Sequence, residues 1–220
     1  MELLFPARCV GCGRRGVPLC RPCRDSLPYL PAAACRRCAS PLAVPGRCRS
    51  CRSLAGELAS IRAVCAYEGT ARRAVHTLKF RSGRYLAPVL GGLMAGVARR
   101  RPLSADLVVP VPLAAGRLRR RGYNQAELLA VVVAPATGGV LASDVLTRDA
   151  RRPQQTLDAA ERRTNLKGAI HCPEPDRVAG RRVVLVDDVV TTGATLSACA
   201  EELAAAGAAH VGALVFARDV

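Results

Sequence analysis

VVLVDDVVTTGATL, residues 183–196, is the stretch on which the reading of this 220-residue chain turns. Val183 to Val186 is wholly apolar, with Arg181 and Arg182 before it and Asp187 and Asp188 after it. Such a run is expected of a central parallel strand covered on both faces. From Gly193 to Ala206, the residues Leu196, Cys199, Ala200 and Leu203 share one helical face, Gly207 supplies a stop, and Val211 to Phe216 reads as the next strand. The unit is therefore βαβ. Ligands of such sheets bind at the carboxyl end of the strand. There, Thr191 to Thr195 offers consecutive backbone N–H groups and three hydroxyls beside a helix N-terminus, which suits a phosphate dianion. Asp187 and Asp188 would repel a phosphate standing alone. They make sense when hydrogen-bond donors such as ribose hydroxyls lie between.

Outward from this unit the same alternation continues. Ile61 to Tyr67 reads as a strand and Thr70 to Phe80 as a helix. Leu86, Val89, Leu90, Leu93 and Val97 mark a second amphipathic helix ending at Arg99 to Pro102, and Leu107 to Val111 is another buried strand. Gly122, Tyr123 and Asn124 precede a helix from Ala126 to Val133, expected to stop near Pro135. Strands alternating with helices across residues 57–220 predict an α/β domain with an open, mostly parallel sheet.

Residues 1–56 differ in kind. Cys9, Cys12, Cys20, Cys23, Cys35, Cys38, Cys48 and Cys51 form four consecutive CxxC pairs. Each pair places two sulfurs on one side of a tight turn, and two pairs complete the tetrahedron of a structural zinc. Eight thiolates imply two zinc ions, paired sequentially or in a crossed arrangement. His76, His171 and His210 all lie outside this stretch, so closed, non-catalytic sites are expected. A segment so short and Pro-rich buries little apolar surface, and each metal would contribute roughly 10–16 kcal/mol of apparent folding free energy. Cys65, Cys172 and Cys199 are unpaired and read as small buried hydrophobes.

Composition narrows the remaining classes. Half the residues are hydrophobic but only 3% are aromatic, so the core is built from Ala, Val and Leu. The formal charge of +16 points toward polyanions, yet Lys79 and Lys167 are the only lysines, and thiolate metal centres carry negative charge that nearby arginines offset. Seven Tyr and Phe in all leave few stacking platforms for single strands, so nucleic-acid contact through Arg14, Arg15, Arg36 and Arg37 would be electrostatic. No apolar run approaches the roughly 20 residues of a membrane span, and Met1 to Pro6 is short for a secretory signal; the expectation is a cytoplasmic chain without membrane insertion.

The strand, paired acids and TTGAT turn closely resemble the phosphoribosyl pyrophosphate loop of type I phosphoribosyltransferases. The order of CxxC pairs, LKF (78–80), RRRGYNQAELLA (119–130), ERRTNLKGA (161–169) and VVLVDDVVTTGAT is similar to that of the ComF/GntX family, across essentially the whole chain. The resemblance implies a type I phosphoribosyltransferase fold behind a zinc-ribbon-like module. It implies that Asp187 and Asp188 hold the ribose hydroxyls and that Thr191, Thr192, Gly193, Ala194 and Thr195 cradle the 5′-phosphate. Lys79, Arg117, Arg121 and Asn124 would face the pyrophosphate, Mg²⁺ would accompany it, and Arg148 to Gln155 would form a lid. Two departures stand out. Several purine salvage enzymes carry an acid where Thr191 stands, which argues against a purine acceptor, and Arg148, Arg151 and Arg152 do not reproduce the family's arginine alternation before Gln154. The resemblance also implies a competing role as a competence protein that binds single-stranded DNA or a protein of the uptake machinery. The oligomeric state is not legible in the sequence.

Overall fold

The computed structural model describes residues 7–31, 33–44, 46, 48, 51, 54–80, 83–149 and 168–220. A short helix α1 (Arg21–Asp25) lies in the Cys-rich segment. There follow β1 (Leu58–Ala66), α2 (Gly69–Lys79), α3 (Ala87–Arg100), β2 (Leu107–Pro110), α4 (Ala115–Arg121), α5 (Gln125–Thr137), β3 (Val140–Leu141), β4 (Thr147–Arg148), β5 (Ile170–His171), β6 (Arg182–Val190), α6 (Ala194–Ala205) and β7 (His210–Arg218). Strands β1, β7, β6, β2 and β3 form one five-stranded sheet in that order, parallel at every pairing. Strands β4 and β5 make a separate antiparallel pair.

Period-2 geometry sorts the core into two halves. Val184, Val186, Leu214 and Phe216 face α2, α3 and α5, where Leu78, Leu90, Met94 and Leu129 are fully buried. Leu185, Ala213 and Val215 face the opposite way, onto Leu196, Cys199, Ala200 and Leu203 of α6. The Cys-rich segment contributes to both halves: Cys9, Leu19, Cys20 and Leu27 join the first, and Cys35, Cys38, Cys51 and Leu54 join the second. Between them the chain runs along the outer edge of β1. Leu30 N–H donates to the Val64 carbonyl at 3.1 Å and Ala66 N–H to that of Pro28 at 2.8 Å, which covers a sheet edge that would otherwise be open to pairing.

Two boundaries differ from expectation. Helix α5 passes through Pro135 and ends at Gly138, which adopts φ 74°. A proline near the last turn deletes only one amide bond, and the αL glycine is the stronger stop. Strand β6 is also longer than the apolar run, because β7 pairs with it as far as Val190↔Arg218. Asp187 and Asp188 are thus strand residues. Of the lone cysteines, Cys65 and Cys199 are fully buried as expected, while Cys172 is half-buried.

Helices α3 and α5 meet at Gly91, where an added Cβ would lie 2.6 Å from Val132 Cβ. Gly91→Leu is expected to force these helices apart and cost about 1–3 kcal/mol, read as a lower urea midpoint at unchanged slope.

Candidate active site and metal centres

Strand β2 is short, and its length creates the site. Its ladder with β6 ends at Pro110↔Val186, with one further bond from Val111 N–H to the Val186 carbonyl at 2.9 Å; Pro112 then has no N–H to donate. The last four residues of β6 are therefore paired on the β7 side alone. After β2 the chain leaves through α4 and α5 toward β3, whereas after β6 it leaves through α6 toward β7. The two strands part in opposite directions, which is a topological switch point.

A crevice of about 130 Å³ opens there, lined in part by Lys79, Arg117, Arg121, Arg148, Asp187, Asp188 and Thr195, with Gln125 beside them. Alternation along β6 turns the two aspartates to opposite faces of the sheet. Asp188, only 2% exposed, forms an ion pair with Lys79 Nζ at 3.0 Å, while Asp187 Oδ1 accepts the backbone N–H of Asp188 at 2.8 Å. Burial, reinforced by the Asp188 charge, pushes the Asp187 carboxyl up to about 7. Burial also raises Asp188, against the opposing pull of Lys79 and Arg121. On the cationic side, burial and then the Arg117 charge lower Arg148. Asp188 Oδ2 and Arg121 Nε are both buried with no hydrogen-bond partner among the described residues. Buried polar atoms of this kind are rare in proteins; Arg62 Nε and Arg218 Nη1, outside the crevice, are two more.

The turn itself has the expected polarity. Thr191 and Thr192 are exposed, Gly193 stands at the N-cap of α6 with φ 81°, and Thr192 Oγ1 accepts the Ala194 N–H at 3.3 Å. Lys79, Arg117, Arg121, both aspartates and Thr195 line this one crevice, whereas Thr191, Thr192, Gly193 and Ala194 are not among its lining residues. Asn124 is not among the crevice residues; its side chain accepts the Ala126 N–H at 3.0 Å and donates to the Val111 carbonyl at 3.1 Å, capping α5. Of the expected lid only Arg148 and Asp149 are described; residues 150–155 lie outside, as do residues 161–167 of the ERRTNLKGA motif. Arg148 nevertheless reaches the crevice wall. Gln125, which accepts from Arg121 Nη1 at 2.7 Å, was not singled out by sequence reasoning, and only its place beside Asn124 could have signalled it.

The eight cysteines gather sequentially. Cys9, Cys12, Cys20 and Cys23 form one cluster and Cys35, Cys38, Cys48 and Cys51 the other, with the sulfurs of each within 4.8 Å of one another. Adjacent sulfurs lie at 3.6 Å (Cys9–Cys20), 3.7 Å (Cys12–Cys20), 3.9 Å (Cys35–Cys51) and, closer than the rest, 3.3 Å (Cys38–Cys48). A tetrahedron with metal–sulfur bonds of about 2.3 Å has edges of about 3.8 Å, so the residues fit zinc. Burial raises the Cys9 and Cys35 thiols, but backbone N–H donors, Cys20 and Cys48 foremost, outweigh it and hold both at about 6. In the same clusters a sulfur contact with Cys20 pushes Cys23, and burial pushes Cys51, up to about 12, so in each set one thiol gives up its proton far more readily than another. Among the described residues no helix is long and apolar enough to cross a membrane.

Comparison with known proteins agrees with this geometry. Residues 89–219 match the model of the phosphoribosyl transferase domain, and residues 1–52 match that of the double zinc ribbon domain. The class is therefore a phosphoribosyltransferase-type α/β domain behind a ribbon with two structural zinc sites. The DNA utilization protein YhgH of Salmonella typhimurium is 36% identical over 80% of this chain and 80% of its own length. The competence protein ComFC of Bacillus subtilis is 26% identical over 81% of this chain and 74% of its own. A glutamine phosphoribosylpyrophosphate amidotransferase structure from B. subtilis superposes with a TM-score of 0.45 at 20% identity, over 64% of this chain and 30% of that one. The chain belongs to the ComF family.

Two outcomes are expected. Metal analysis of the purified chain gives two zinc ions, and Cys48→Ser reduces this to one. Because the Asp187 carboxyl titrates near 7 when folded and near 3.8 ordinarily, the ligand-free folded chain holds a proton that the unfolded chain has lost between about pH 4 and 7. Its stability should fall as pH rises through that window. Asp187→Asn should raise the melting temperature by a few degrees at pH 8 and leave it unchanged near pH 4.

Proposed function

We propose that the crevice binds phosphoribosyl pyrophosphate with Mg²⁺ and that the chain transfers the phosphoribosyl group to an acceptor, releasing pyrophosphate. The observation that carries this reading is the convergence of four cations and two carboxylates at the switch point, with Asp188 Oδ2 and Arg121 Nε lacking partners. Asp187 and Asp188 accept hydrogen bonds from the ribose hydroxyls, and Thr191 to Thr195 hold the 5′-phosphate at the N-terminus of α6. Lys79, Arg117, Arg121 and Arg148 face the pyrophosphate. In the transfer, the bond from the anomeric carbon to the pyrophosphate oxygen breaks and a bond to the acceptor forms. The four cations stabilise the charge gathering on the leaving group, and the carboxylates favour the positive charge that develops on the ribose ring. Bound together with the substrate, Mg²⁺ would supply further neutralisation of the negative charge. In this reading residues 1–56 form the zinc module and residues 57–220 the phosphoribosyl-binding domain, which operates in the cytoplasm.

A second reading has its own observation. A groove of about 400 Å³ along the β1 edge is lined by Tyr29, Arg62, Arg100 and Arg101, among others, and among the described residues no carboxylate lines it. Together with the relatives named for DNA utilization and competence, this supports a module that grips single-stranded DNA or a partner protein without turnover. Arg14, Arg15 and Arg36 are exposed and free to contribute to such a grip, but the Arg37 guanidinium is committed to three backbone carbonyls.

Calorimetry separates the two. The first reading expects Mg²⁺-dependent binding of phosphoribosyl pyrophosphate, weakened at least about tenfold by Asp187→Ala or Asp188→Ala, and pyrophosphate release with one member of a panel of nucleobases and amines. Binding without release for any acceptor favours the module, whose retention of single-stranded DNA would fall steeply with salt and on replacing Arg14, Arg15 and Arg36.

A further inference from the structure

The second cysteine cluster is wired to both ends of the turn that follows β6. Arg37 lies inside the Cys35–Cys38 knuckle, and its guanidinium donates to the carbonyls of Cys51 at 3.4 Å, Leu54 at 3.3 Å and Ala55 at 2.7 Å. Leu54 N–H donates in turn to the Cys51 carbonyl at 3.2 Å. Leu54 and Ala55 are thereby tied to the cluster. They deliver two contacts to the turn. Leu54, 7% exposed, packs on Gly193 so closely that a side-chain carbon at 193 would collide with its Cδ2, and Ala55 N–H donates to Ser197 Oγ in the first turn of α6 at 3.1 Å. On the other flank, Ser40 Oγ lies 3.3 Å from Cys38 Sγ and accepts from Arg218 Nε at 2.9 Å. Arg218 is the ladder partner of Val190, the residue that enters the turn.

The geometry matters because of which side each contact takes. Leu54 is buried with Val190 and Leu196, so it backs the turn from the core, while Thr191 and Thr192 point to solvent. It buttresses the turn and does not occlude it. Among the described residues the first cluster has no hydrogen bond to that turn. In α2, Arg73 donates to the Val10 and Gly11 carbonyls of the cluster's first knuckle at 3.4 Å each, and Lys79 is at the far end of that helix.

We propose that Arg37 and Leu54 are positioning residues which make the second cysteine cluster the support of the anion-binding turn at residues 190–197. Closing that cluster around its metal and binding an anion at the turn then favour one another, and the coupling is reciprocal by thermodynamic necessity. The ligand half of this statement rests on the function proposed above; the mechanical half does not.

The test uses the full, zinc-loaded chain and its variants Arg37→Gln, Leu54→Ala and, as a control at the first cluster, Arg73→Gln. The first measurement needs no ligand: amide hydrogen exchange in peptides spanning residues 190–200. Arg37→Gln and Leu54→Ala are expected to speed exchange there while both metals stay bound, and Arg73→Gln is not. Unchanged exchange in both variants overturns the proposal whether or not any sugar phosphate binds. The second measurement is affinity for ribose 5-phosphate, expected to weaken about fivefold or more in Arg37→Gln and Leu54→Ala and to stay within about twofold in Arg73→Gln. The third is the rate at which a chelator strips each metal. Saturating ribose 5-phosphate is expected to slow release from the second cluster only, and Arg37→Gln to abolish that protection. Protection of both clusters alike, or persistence of protection in Arg37→Gln, overturns it. Failure of the wild-type chain to bind ribose 5-phosphate or phosphoribosyl pyrophosphate would instead remove the proposed function, leaving exchange to decide this inference alone. Cys48→Ser serves as a further variant if it folds; if it does not, Arg37→Gln carries the test.

Discussion

Two carboxylates stand side by side on an interior strand of a sheet, and this placement organises the rest of the site. An ionised carboxylate removed from water costs several kcal/mol unless it is paired and hydrogen-bonded. Asp188 meets this demand by taking Lys79 from the end of α2, and Asp187 meets part of it by accepting the Asp188 N–H. Both remain raised toward the protonated form, because one lysine does not compensate two acids set side by side and withdrawn from water. The arginines of α4 and of β4 line the same crevice as the two acids, so acceptors and cations face one space.

The ribbon stabilises the same sheet from outside. Its two clusters sit on opposite faces, each joined to one half of the core, and the strip between them closes the β1 edge. A chain with 3% aromatic residues has little large apolar surface to bury, and thiolate–metal bonds replace what such a core lacks. The ribbon and the α/β domain therefore share buried residues, even though the composition changes abruptly near residue 56.

Several features were legible because they are local. The βαβ unit around residues 183–216 follows from hydrophobic periodicity, and the four CxxC pairs announce metal knuckles by spacing alone. Period 2 also carries the information that Asp187 and Asp188 face opposite ways, once β6 is known to extend to Val190. That extension was hidden, since two acids end an apolar run in sequence, and only the ladder with β7 keeps them in the strand. Pro135 misled for a similar reason: its effect depends on how many helical residues follow it, and here Gly138 closes the helix soon after.

By itself the sequence determined the α/β alternation, the turn with its hydroxyls, the acids before it and the eight metal-binding sulfurs, because each depends on residues within a few positions of one another. The tertiary structure alone decided the sequential pairing of the cysteines, the Lys79–Asp188 ion pair and the convergence of Arg117, Arg121 and Arg148 on one crevice. It also decided the contact of Leu54 and Ala55 with a turn lying 142 positions beyond Ala55 at Ser197. Periodicity reports which face of an element is buried. It carries no information about what lies against that face, which is settled by the order in which strands assemble and by where a short strand such as β2 lets its neighbour run on unpaired.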